Sequence, residues 1–196
     1  LAVFSVTKNQ NSNIAKRLLV SIKDNFDNID YGVDNEIKYK VLKGLAYLTS
    51  IKESIVYHIE YCNLFKGKNF EAIDIMDLEI FTNLVHTLIE TKKYDDALKY
   101  VAIINSKKEN FPDKNLIDYL VIDHLELNIY YYTNDRTKSV SKAEEILKLT
   151  NDDEIKKKTS SLLGETGLDV IRQNAESILK PMATIQKPRI SAKKYG

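Results

Sequence analysis

His58 and Cys62 stand four residues apart in "YHIEYCNLF", a spacing that puts two metal-binding side chains on adjacent turns of one helix face. A structural zinc site needs about four such ligands. The chain has three histidines and one cysteine, so no second His/Cys pair exists. The expectation is a buried thiol beside a half-exposed imidazole, with no metal. Asp74, Asp77 and Glu79 gather in "DIMDLE". Paired carboxylates can exchange protons with a substrate, but acids in a first helical turn are also what the helix macrodipole favours. His86, in "FTNLVHTLI", and His124, in "LVIDHLELN", lie among apolar residues and read as core or groove positions rather than bases. No phosphate-cradling glycine loop, Ser/His/Asp pattern or cysteine-nucleophile signature is present. The sequence therefore predicts no catalytic residues, no cofactor and no enzyme activity.

Two asparagines interrupt apolar helical runs: Asn83 in "IFTNLVHTLI" and Asn128 in "LELNIYYY". A buried asparagine needs partners for its amide donors and for its carbonyl. In the groove of a helical array the carboxamide can donate to one backbone carbonyl of a bound peptide and accept from a backbone N–H. The alternative is that each asparagine bonds a neighbouring helix or loop. Tyr130, Tyr131 and Tyr132 follow directly and cover nearly the whole helix circumference, so at least one must face a groove or a partner. The expected peptide-binding set is Asn83, His86, Asn128 and Tyr131.

These residues need helices to carry them, and helical periodicity dominates the chain. Asn13 can cap a helix with Ile14, Leu18, Leu19 and Ile22 on it. Further helices are predicted at about 35–48, 52–65, 73–91 and 94–104. A sixth, "DKNLIDYLVIDHLELNIYYYTND", is apolar almost all round and should be central. "RTKSVSKAEEILKLT" is the seventh, and "NDDE" is read as the start of an eighth, which the glycines of "GETG" break or bend. "YDDALKYVAII" and "VSKAEEILKLT" superpose with Ala97 on Ala143, a period of 46 residues, and "SNIAKRLLVSI" fits the same frame at Ala15. That period is close to the roughly 40–47 residues of the larger helical repeats. The fold class expected is all-α, a degenerate TPR-like helical-repeat array of about eight helices over residues 1–180, with an extended or disordered tail at 181–196.

The totals fit this picture. The 196 residues carry 29 basic and 28 acidic side chains, so no long-range field points to nucleic acid or a membrane surface. No apolar run is long enough to span a bilayer, and the lone cysteine suits a reducing cytoplasm. The chain starts at Leu1, which suggests missing upstream sequence.

"YCNLFKGKNFEAIDIMDLEIFTNLVHTLI" resembles a segment of the helical C-terminal domain of Rgg/MutR-type bacterial regulators, through Leu64-Phe65, Leu78-Glu79-Ile80-Phe81, Asn83 and Leu84. "YLVIDHLELNIYYYTND" is similar to a later helix of that family, with Asn128 on the family's asparagine. The resemblance covers residues 13–165 and rests on degenerate, mostly hydrophobic motifs. It implies a cytoplasmic regulator of transcription whose helical domain forms a homodimer and binds a short signalling peptide on its concave face. DNA would be bound only through a helix-turn-helix domain missing from this chain. The chain departs from the family in having "GKNFEAIDIMD" where a tryptophan-containing stretch is usual. The alternative is a repeat scaffold that holds a segment of a partner protein without a regulatory ligand.

Overall fold

The computed structural model describes residues 12–26, 35–53, 55–66, 73–110, 116–152 and 164–180. Among them there are eight α-helices and no strand: α1 (Ser12–Asp24), α2 (Asn35–Leu48), α3 (Ile55–Lys66), α4 (Ile75–Glu90), α5 (Tyr94–Asn105), α6 (Leu116–Tyr132), α7 (Arg136–Thr150) and α8 (Gly164–Leu179). One predicted end moves for a local reason. α3 starts three residues later than the periodicity suggests, because the Glu53 N–H bonds the Ser50 carbonyl at 2.9 Å and closes a turn first. Asn151 caps the C-terminus of α7; the eighth helix expected from "NDDE" falls largely on residues 153–163, outside the described residues. Gly164 and Gly167 fall in the first turn of α8. The tail at 181–196 and the opening "LAVFSVTKNQ" lie outside the described residues.

Helices adjacent in sequence pack as hairpins, and α2, α4, α6 and α8 follow one another as a layer, with α3 and α5 in contact behind it. The repeat is clearest at the helix ends. Lys92 and Asn134 both have positive φ, 60° and 57°, a conformation that costs an L residue roughly 1–2 kcal/mol. Each ends its helix in the same way: the Lys92 N–H bonds Ile89 O and the Lys93 N–H bonds Leu88 O, while Asn134 bonds Tyr131 O and Asp135 bonds Tyr130 O. Thr91 and Thr133 precede them, and each hydroxyl donates to the carbonyls three and four residues back. These pairs are 42 residues apart. The structural period is therefore 42, not the 46 obtained by matching alanines. In the corrected frame Ala97 corresponds to Ser139 and Val101 to Ala143, all buried. Thr49 stands one step earlier, just after α2, with its N–H bonded to Leu45 O and its buried hydroxyl unpartnered.

Three apolar clusters run along the array. The largest joins α2 to α6 around Tyr61, Phe65, Phe81, Leu84, Ile104 and Ile122, with Phe65 and Phe81 edge to face at 4.9 Å. The second joins α6, α7 and α8 through Leu120, Leu127, Ala143, Ile146, Ile171 and Ala175. The third holds α1 on α2 through Leu19, Val41 and Leu45. Gly44 permits that approach, since a Cβ there would lie 2.8 Å from Leu19 Cδ1. α6 feeds two clusters from opposite sides, which is why its sequence is apolar all round.

The acids of "DIMDLE" begin α4. The Asp74 side chain accepts from the Asp77 N–H at 3.1 Å and the Asp77 carboxylate accepts from the Asp74 N–H at 2.9 Å, a reciprocal capping box. Asp77 is 2% exposed. It also accepts from the Tyr39 hydroxyl at 3.0 Å and from the Tyr61 hydroxyl, and Lys43 Nζ lies 2.6 Å away. Burial, and then the Asp77 charge, push both phenols far above their ordinary range. The carboxylate thus ties α2, α3 and α4 together, and Glu79 makes none of these contacts.

Removing one partner of a buried ion pair strands the other. Lys43→Met should destabilise the fold by about 3 kcal/mol, read from urea melts. Lys40→Met, which breaks the exposed pair with Glu36, should change stability by less than about 0.5 kcal/mol.

Candidate functional site

The end of α6, the turn into α7 and the last two turns of α8 border an open cavity of about 770 Å³, within the size range of ligand pockets. Asn134 lines it at the Schellman-type turn that connects the end of α6 to the start of α7. From α6 come Asn128, Tyr131 and Tyr132; from α7 come Arg136 and Ser139; from α8 come Asn174 and Ser177, and Lys180 follows directly after it.

Behind the rim His124 joins the two walls. The Asn174 amide donates to Nε2 of a neutral His124 at 2.9 Å, a bond between α8 and α6. The Asn128 amide nitrogen lies 3.5 Å from the same ring nitrogen, at the outer limit of a hydrogen bond. Asn128 therefore keeps most of its donor and acceptor capacity while half-buried. Burial lowers the His124 pKa, because a charged imidazole loses hydration there. Tyr131 and Tyr132 are both more than half exposed, and their rings meet edge to face at 5.7 Å. Tyr132 in turn stacks on Tyr94 of α5, with centroids 6.1 Å apart.

A second polar network lies deeper, between α5, α6 and α7. Lys142 reaches Glu126 at 3.0 Å, Glu145 at 2.8 Å and Asp123 at 3.5 Å, and Lys108 reaches Asp123 at 3.3 Å. Burial raises the Asp123 pKa in spite of both lysines. The Tyr130 hydroxyl donates to Glu126 at 2.7 Å, and burial with that carboxylate pushes its pKa up to about 12. Tyr130 is thus tied to its own helix, which leaves Tyr131 and Tyr132 for the outer surface.

The four expected site residues separate. Asn128 and Tyr131 line the cavity. Asn83 and His86 lie on the exposed face of α4, with His86 Nδ1 3.8 Å from Glu90, and neither lines it. In the 42-residue frame the counterpart of Asn128 is His86, not Asn83. His58 and Cys62 are both buried in the core, where burial raises the thiol pKa. Among the described residues no group of three or more His, Cys, Asp or Glu side chains could hold a metal ion. Sequence reasoning missed Asn174, Arg136 and Lys180. The available signal was Asn174 next to the buried Ala175 on α8, a polar residue at the edge of an apolar face. Comparison of the chain with protein-family models, curated proteins and solved structures finds no match.

The lowered His124 pKa has a definite sign. Below its ordinary value of about 6.5 the unfolded chain takes up the proton first. Stability should therefore fall as pH drops from 7.5 to 5.5. In His124→Gln that loss should be smaller, since glutamine keeps an acceptor for Asn174 without titrating. Urea melts of both proteins at the two pH values measure the difference, and equal losses would show that His124 does not couple folding to protons.

Proposed function

We propose that this chain is the peptide-sensing, regulatory part of a bacterial transcription regulator, acting as a degenerate TPR-like array. The observation that carries the peptide reading is Asn128: a half-buried carboxamide with unused hydrogen-bonding capacity, facing a cavity of about 770 Å³ beside exposed tyrosine rings. An extended peptide can satisfy the carboxamide through one backbone carbonyl and one N–H. The regulatory reading is supported by the resemblance to Rgg/MutR-type proteins over residues 13–165, and DNA binding belongs to a helix-turn-helix domain outside this sequence. The mechanism is a population shift. A peptide that bridges Asn128 on α6 and Asn174 on α8 favours one spacing of those helices over others.

The homodimer is part of the same proposal. Among the described residues Ile14, Leu18 and Ile22 form an exposed apolar stripe on α1, 58%, 49% and 40% exposed, and this stripe is the surface offered to a second copy. The scaffold alternative is favoured by one feature, the Tyr94–Tyr132 stack, which carries the aromatic surface from α6 on to α5.

Capture from a pool of random heptapeptides on the immobilised full chain tests the peptide reading. Asn128→Ala should weaken the best retained peptide several-fold, since a lost hydrogen bond costs about 0.5–1.5 kcal/mol, and should leave the melting temperature nearly unchanged. No retained peptide, or unchanged affinity in the variant, would overturn it. For the dimer, sedimentation at micromolar concentration should show self-association that Leu18→Glu reduces.

A further inference from the structure

We infer that the α6–α8 cavity selects its peptide through a carboxylate, held by Arg136 with Lys180. This rests on the peptide reading above. The cations nearest the core are paired: Lys43 with Asp74 and Asp77, and Lys142 with three acids. Arg136 and Lys180 both line the cavity, and among the described residues neither takes part in an ion pair. Among the described residues no carboxylate lines the cavity. The acid nearest in sequence, Asp135, is already engaged by the Lys138 N–H at 3.1 Å and by Lys138 Nζ at 3.0 Å.

Lys180 has an explanation without a ligand, since it follows α8, where a cation complements the carbonyl end of any helix. Arg136 has none. It is the first residue of α7, directly after the N-cap Asp135, whose carboxylate is taken up by Lys138, and the first turn of α7 itself contains no acid, so the N–H groups beside Arg136 add to its positive potential. A guanidinium there is unfavourable for the helix and favourable for a bound anion, which it can grip through two parallel N–H bonds. The asparagines supply the complementary part: Asn128 and Asn174 read the backbone, and the cations read the negative group.

The test uses random heptapeptides in three forms on the full chain: free C-terminal acids lacking Asp and Glu, C-terminal amides containing Asp or Glu, and C-terminal amides lacking both. At least one carboxylate-bearing form should be retained about tenfold or more over the third, and which one identifies the carboxylate as terminal or side-chain. Arg136→Gln should remove the preference, whereas Lys148→Gln, the same charge change on an exposed part of α7 that does not line the cavity, should keep it. Equal retention of all three forms, or an Arg136→Gln variant with its preference intact, overturns the carboxylate and leaves the peptide reading standing. Retention of none overturns both.

Discussion

The Asp77 carboxylate is the constraint around which the first half of the array is arranged. A carboxylate that is 2% exposed must be surrounded by donors, because an unpaired buried charge costs several kcal/mol. Its donors come from three helices: Tyr39 and Lys43 from α2, Tyr61 from α3 and the Asp74 N–H from the start of α4. Hydrophobic contact between Phe65 and Phe81 tolerates some sliding. The Asp77 cluster does not, since each donor must meet one of two oxygens. The cluster therefore sets the register between the first hairpin and the second, and the position of α4 determines where α6 can pack.

The far end of the array is held differently. α8 packs on α7 and α6 through a small apolar cluster of short and medium side chains, Ala143 and Ala175 among them. Its link to α6 is the neutral bond between Asn174 and His124. Among the described residues no ion pair joins α8 to α6 or α7, in contrast to the charge-clamped junction at Asp77. A cavity walled by α6 on one side and α8 on the other thus has an α6 wall fixed by buried ion pairs and an α8 wall that the described residues hold by apolar contact and one neutral hydrogen bond. That asymmetry suits a site whose occupant is to alter a helix position.

Much of this was legible in the sequence, and the failures share a cause. α2 and α7 have the predicted ends because periodicity and flanking polar residues agree there. The central place of α6 followed from its lack of a polar face. The repeat register was misread because small residues at helix contacts recur in any packed pair. What fixes the frame is backbone conformation at Lys92 and Asn134, and a lysine at positive φ gives no warning in sequence. Asn83 was grouped with Asn128 because each interrupts an apolar run, and such a run does not say which face of its helix the asparagine takes. The second wall of the site was missed for a related reason. It is formed by α8, and sequence distance gives no hint that Asn174 lies beside His124, 50 positions earlier.

The spacing of the threonines has a consequence for how such a chain can change. Thr49, Thr91 and Thr133 mark equal steps of 42. The residues after Thr91 and Thr133 make the same positive-φ turn, although most residues between the two units differ. A segment bounded by two such turns begins and ends at the same phase of the helical layer. Splicing one in or out would lengthen or shorten the wall by a hairpin while preserving the orientation of everything beyond it. The array is in this sense modular, and its terminal pocket could be carried on walls of different length without being redesigned.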